Sequence, residues 1–183
     1  MEINSELEAK CDAIIAQYPQ KRSAAMIVMH LIQETFGYFD DSAIKFAAGK
    51  LGVEPVDVYG MLSFYPMYSQ EPRGRIHIKV CRTLSCAMAG SVKLGHELAK
   101  RIGCPVGETR GIYTLEFVEC LGNCVKGPNV QVNDKLFERV VPEDAEKFVE
   151  KLVELDKNGE LDPKSAFDAP QGGGDFNSPA YKG

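Results

Sequence analysis

The chain has 183 residues, 44% of them hydrophobic, and a formal charge of −5. That length suits one large domain or two small ones, and the apolar content excludes a chain disordered throughout. The acidic balance argues against DNA or RNA as partners, the longest apolar run (Ala24–Met29) is too short to cross a bilayer, and Glu2, Glu6 and Glu8 stand where a secretory signal would be basic and then apolar.

In chain order, the first 65 residues read as helices. Ser5-Glu6-Leu7-Glu8 has the form of a capping box with Ser5 at the N-cap. Leu7, Cys11, Ile14, Ile15 and Tyr18 then recur at helical spacing. A second helix is predicted from about Ser23 to Phe36, ended by Gly37. A third begins near Asp41, with Ile44, Ala47, Ala48 and Leu51 on one face before Gly52. A fourth follows Glu54, with Pro55 in its first turn, where a missing N–H is harmless. These segments predict a small helical bundle over residues 1–70, and Ser69–Gly74 looks like its boundary.

After Gly74 the period changes. Ile76, Ile78 and Val80 alternate with His77 and Lys79, which predicts a strand buried on one face and solvated on the other, running into Cys81. A helix is expected from about Ser91 to Ile102. Tyr113, Leu115 and Phe117 alternate in a second strand that leads into Cys120. Residues 130–132 and 136–140 flank Asn133-Asp134 and predict a hairpin. A last helix from about Pro142 to Leu155 would bury Ala145, Phe148, Val149 and Leu152. The order β-α-β-β-α over residues 75–155 is that of a small α/β domain, with a strand leading into each close pair of cysteines. Residues 156–183, rich in Gly, Pro, Asp and Lys, are expected to form a tail that is solvated or ordered by a partner.

Six cysteines with no secretory signal point to a reducing cytosol, where metal binding or packing is favoured over disulfides. Cys11 and Cys104 stand alone. Cys11 lies on the apolar stripe of the first helix and reads as core, and Cys104 precedes Pro105 in a loop. The other four form C-x4-C (Cys81, Cys86) and C-x3-C (Cys120, Cys124), separated by residues 87–119. Three chemistries compete for this set: a structural zinc site, buried or disulfide-linked thiols, and an iron–sulfur cluster. Zinc knuckles favour tighter spacing. A [2Fe–2S] rhomb needs two thiolates on each iron, which two pairs from two loops can supply, and the lack of a histidine in the set excludes a Rieske centre. Such a cluster gains negative charge on reduction, so a low potential is expected. Gly90, Gly122 and Gly127 would leave room for backbone near sulfide, Leu84, Leu121 and Val125 would shield the cluster, and Arg82 and Lys126 would place positive charge beside it. His30, His77 and His96 have no partner in motif spacing and read as surface or core. No G-x-G-x-x-G, Walker A or nucleophile elbow is present, so no nucleotide site is indicated.

The segments Val80-Cys81-Arg82-Thr83-Leu84-Ser85-Cys86 and Glu119-Cys120-Leu121-Gly122-Asn123-Cys124 resemble the cluster loops of thioredoxin-like [2Fe–2S] ferredoxins. Tyr113-Thr114-Leu115, Val118-Glu119 and Gly127-Pro128 fit the same pattern. Val58-Tyr59-Gly60-Met61-Leu62-Ser63-Phe64-Tyr65 is similar to a stretch in one branch, the NuoE-type subunits of respiratory complex I and their relatives. The likeness covers roughly residues 5–155; the family often has Ala where this chain has Gly127. It implies an α+β chain, a helical bundle followed by a thioredoxin-like ferredoxin domain without a redox CxxC. Cys81 and Cys86 would hold one iron, and Cys120 and Cys124 the other. The chain would serve as an electron carrier in NADH:quinone oxidoreductase, beside a NuoF-type flavoprotein and a NuoG-type iron–sulfur subunit, peripheral to the inner face of the membrane. FMN and NADH would bind the partner, not this chain. The same module in an NAD(P)-linked hydrogenase or formate dehydrogenase is the alternative, and a zinc-stabilised interaction module the second.

Overall fold

The structure is a computed structural model and describes residues 3–162. The expected helices at the start of the chain form, with one shift. Helix α1 (Ser5–Ile15) is capped by Asn4, whose Oδ1 accepts the Leu7 N–H at 2.8 Å, so Ser5 is the first helical residue instead of the cap. Asn and Ser cap about equally well, and the two are adjacent. A 3₁₀ turn (Lys21–Ala24) leads into α2 (Ala25–Phe36), which stops at Gly37 in the left-handed conformation. Helix α3 (Asp41–Leu51) is capped by Asp40, which accepts the Ala43 N–H. The Ser42 hydroxyl and that N–H hold the Asp40 carboxyl at about 2. Helix α4 (Pro55–Phe64) begins with a reciprocal Glu54–Asp57 box. Leu7, Cys11, Val28, Ile32, Phe39, Ala47, Leu51 and Val58 form one buried apolar cluster.

The second buried cluster lies on a five-stranded sheet of order β2-β3-β1-β4-β5. Strand β1 (Ile76–Cys81) runs parallel to β3 (Tyr113–Val118), with Ile76 opposite Tyr113 and Cys81 opposite Val118. On its other side β1 pairs antiparallel with β4 (Val130–Val132), which turns at Asn133 into β5 (Lys135–Phe137). A short edge strand, β2 (Glu108–Arg110), has no counterpart in the sequence reading. A five-residue helix, α5 (Leu84–Met88), sits inside the first cysteine loop. Helices α6 (Ser91–Ile102) and α7 (Ala145–Lys157) supply Leu94, Leu98, Phe148 and Leu152 to the cluster that buries Ile76, Ile78 and Val80.

Two expectations are corrected. Strand β1 is not solvated on its second face: His77 is only 6% exposed, and its Nε2 meets Glu116 Oε1 at 2.5 Å. Glu116 comes from β3, opposite Lys79, so the pairing of distant strands creates the partner that local spacing could not show. Within residues 156–162, expected in the tail, Asp156 and Lys157 complete α7, and the segment is tied to the sheet at particular residues. Leu161 is buried, its carbonyl accepts from the Asn133 amide, and Asp156 pairs with Arg75. The rest of the expected tail lies outside the described residues.

The segment from Tyr68 to Gly74 ties the two clusters together. Ser69 exchanges hydrogen bonds with Gln33 and Phe39, and the Arg73 guanidinium donates to the carbonyls of Met67 and Tyr68. The Gly74 N–H donates to Thr114 Oγ1 at 2.7 Å. A Cβ at Gly74 would stand 2.6 Å from the Ile112 backbone, so the close approach requires glycine.

Candidate metal centre

Because β1 and β3 are parallel and in register, their C-terminal ends emerge at the same edge of the sheet. The chain leaves β1 at Cys81 and leaves β3 two residues before Cys120. The Arg82 N–H still donates to the Val118 carbonyl at 2.9 Å, so the strand pairing extends into the first cysteine loop. The third segment of the site enters from β4: the Cys81 N–H donates to the Asn129 carbonyl at 3.1 Å.

The structure brings all four cysteines of the paired motifs to this edge. Cys81 and Cys86 are buried, and Cys120 and Cys124 are exposed, so the site opens to solvent on the side of the second pair. Cys120 Sγ and Cys124 Sγ are 3.3 Å apart. Cys81 faces Cys86 within its own pair, and Cys120 also feels the charge of Cys81. Among the described residues no three His, Cys, Asp or Glu side chains are gathered as one metal ion would require.

Donors converge on the sulfurs. Thr83 Oγ1 lies 3.1 Å from Cys81 Sγ, the Gly122 N–H reaches Cys120 Sγ at 3.4 Å, and the Asn129 side-chain amide reaches Cys86 Sγ at 3.5 Å. Burial opposes a thiolate at Cys81, but the Thr83 hydroxyl, the Thr83 and Leu121 N–H groups and Cys86 outweigh it and lower its pKa. The Gly122 N–H and then the Cys124 thiol lower that of Cys120. Burial raises the pKa of Cys86, and the neighbouring Cys120 raises that of Cys124. Within each pair the neighbouring groups thus favour the thiolate at one sulfur and oppose it at the other.

Asn129 is the functional side chain that sequence reasoning missed. It is 1% exposed, and its amide donates to Cys86 and, at 2.7 Å, to the Asn123 carbonyl in the loop before Cys124. One side chain therefore links both cysteine loops. The available signal is an Asn between Pro128 and Val130 at the start of a strand, where Asn is disfavoured unless its side chain is used elsewhere.

The other expected roles divide. Gly127 fits its role, since a Cβ there would press on Cys86 Sγ at 3.1 Å. Gly122, at φ +80°, turns its N–H onto Cys120. Gly90 serves another purpose: it precedes α6 at φ +95°, and a Cβ there would meet Pro142. Leu84 and Val125 do not cover the site, being 75% and 95% exposed. Arg82 and Lys126 flank it but are paired with Glu119 and Glu138. Cys11 and Cys104 are buried in the two separate cores; burial pushes the Cys11 thiol up to about 11.

Four thiols without an imidazole, in two pairs, with N–H and O–H groups aimed at sulfur and a glycine hollow against one of them, fit a [2Fe–2S] cluster. Residues 11–153 match the thioredoxin-like [2Fe–2S] ferredoxin family, and the chain belongs to it. An NADH-quinone oxidoreductase subunit from Mycobacterium bovis is 33% identical over 153 residues, covering 82% of this chain; the match spans 61% of that relative's length. The NADP-reducing hydrogenase subunit HndA of Solidesulfovibrio fructosivorans is 29% identical over 137 residues, covering 74% of this chain and 80% of its own. The crystal structure of an air-oxidised NAD+-reducing [NiFe]-hydrogenase shares the fold, with a TM-score of 0.58 at 18% identity over 69% of this chain and 22% of that one.

Proposed function

We propose that Cys81 and Cys86 hold one iron of a [2Fe–2S] cluster, that Cys120 and Cys124 hold the other, and that the chain carries one electron at a time within an NADH:quinone oxidoreductase. The observation that carries this reading is the meeting of the two cysteine loops at one sheet edge, each bringing a pair of sulfurs. When bound, the cluster supplies a centre that takes up and gives back a single electron. The residues around it have simple tasks. Thr83, Leu121, Gly122 and Asn129 donate to sulfur and favour its anionic form. The buried first pair anchors the site in the sheet, and the exposed second pair faces the exchange partner.

The chain itself holds no substrate site in this reading. FMN and NADH belong to a NuoF-type flavoprotein, a NuoG-type iron–sulfur subunit completes the assembly, and residues 1–70 dock on the flavoprotein. The assembly sits at the inner face of the membrane; no helix among the described residues is long and apolar enough to cross one. The second reading, the same module in an NAD(P)-linked hydrogenase, is supported by the HndA relative.

Metal analysis and an EPR spectrum after dithionite reduction test the cluster. Iron, sulfide and an S = 1/2 signal are expected. Cys120→Ala and Cys124→Ala should each lose or badly distort the signal, and Cys11→Ala should retain it. A colourless, zinc-loaded protein would overturn the assignment, and bleaching by Cys11→Ala would overturn the ligand set. The chains that co-purify separate the two assemblies.

A further inference from the structure

The Thr83 side chain occupies a position whose ordinary use it declines. It is the N-cap of α5, with extended backbone (φ −74°, ψ 163°), where a threonine oxygen would accept an N–H from the first helical turn. No such bond forms. Its carbonyl does accept the Ala87 N–H at 2.9 Å, so the helix is begun without the hydroxyl. The hydroxyl is turned instead to sulfur, 3.1 Å from Cys81 Sγ.

We infer that Thr83 is a positioning residue whose hydroxyl proton, given to Cys81 Sγ, sets how readily the centre accepts an electron. The inference rests on the ligand set proposed above. An O–H donor to a thiolate strengthens as the sulfur becomes more negative, so it stabilises the reduced form more than the oxidised one. The geometry is held from outside the site: the Arg82 N–H bond to Val118 and the Arg82–Glu119 ion pair join the residue before Thr83 to the residue before Cys120. That junction fixes the backbone from which the hydroxyl reaches Cys81.

The test is an EPR-monitored dithionite titration of the full, cluster-loaded chain, with Thr83→Val, Thr83→Ala and Thr83→Ser variants. Thr83→Val keeps the branched shape and removes the proton. It should bind the electron about tenfold more weakly, a midpoint lowered by about 59 mV. Thr83→Ala should shift in the same direction, and Thr83→Ser should restore most of the wild-type value. Val and Ala variants that hold a cluster and titrate at the wild-type midpoint overturn the inference. So does loss of the cluster in both with retention in Ser, because the hydroxyl would then serve assembly instead of electron affinity. If the wild-type chain itself shows no reducible signal, it is the ligand assignment that fails.

Discussion

The link made by Asn129 is open to a direct thermodynamic test. Asn129→Leu keeps the branched heavy-atom shape, so no cavity is expected, and removes every polar contact of the side chain. The Asn123 carbonyl then loses a 2.7 Å hydrogen bond in a site where Asn129 is 1% exposed. Leaving a buried acceptor without a partner costs about 1–3 kcal/mol. The longer contact to Cys86, 3.5 Å, adds less while the sulfur is a neutral thiol. A loss of about 2 kcal/mol corresponds to a fall in Tm of about 4–8 °C for a chain of this size. The assay is thermal unfolding by circular dichroism of the reduced, metal-free chain. Asn129→Asp adds a pH signature. Its carboxylate would face the Asn123 carbonyl oxygen, which raises its folded pKa above the unfolded value of about 3.9. The folded variant then binds more protons than the unfolded one, so its deficit against wild type must shrink as pH falls toward that range. An Asn129→Leu chain melting within about 1 °C of wild type would refute the reasoning, since the smallest cost considered implies about 2 °C.

Three further outcomes follow from the sheet and the glycines. Burial lowers the His77 pKa against the pull of Glu116, so wild-type stability should be full above about pH 6.5 and decline as pH falls through the folded His77 value; His77→Gln should flatten the dependence of Tm between about pH 7 and 5. Gly49→Ala, in α3 with nothing within 4 Å of the new Cβ, should stabilise the chain by about 0.5–1 kcal/mol. Gly74→Ala, driven into the Ile112 backbone, should destabilise it by about 1–3 kcal/mol, and urea titrations of the two variants read both changes.

The parts of the fold that were legible are those with local causes. Gly37 and Gly52 end helices because each adopts a left-handed backbone there, and a glycine after an apolar helical run announces that in advance. The alternation of Ile76, Ile78 and Val80 marks a strand because its period is two. What escaped was decided by distant residues. His77 reads as a solvated position until β3 places Glu116 beside it. Strand β2 is three residues long and wholly exposed, so no hydrophobic period announces it. Leu84 and Val125 are apolar, but nothing in a loop's composition says whether anything packs over it. Leu161 joins the core because the Asn133 amide holds its carbonyl, a contact between residues 28 apart.

The site was legible for a different reason. The chemical identity of four thiols and their grouping in twos are properties of the sequence alone; that they meet is a property of topology. A parallel pair of strands sends both loops off the same edge, whereas an antiparallel pair would have sent Cys81 and Cys120 to opposite ends, six residues or about 20 Å apart. Parallel pairing requires a crossover, and residues 84–102 provide it through α5 and α6. The helix between the two cysteine motifs is therefore a condition of the metal centre: it lets β3 return parallel to β1 and packs Leu94 and Leu98 into the core shared with Ile76, Ile78 and Val80. The place of Asn129, whose amide reaches Cys86 Sγ and the Asn123 carbonyl, could be identified only after that crossover had brought three separate segments together.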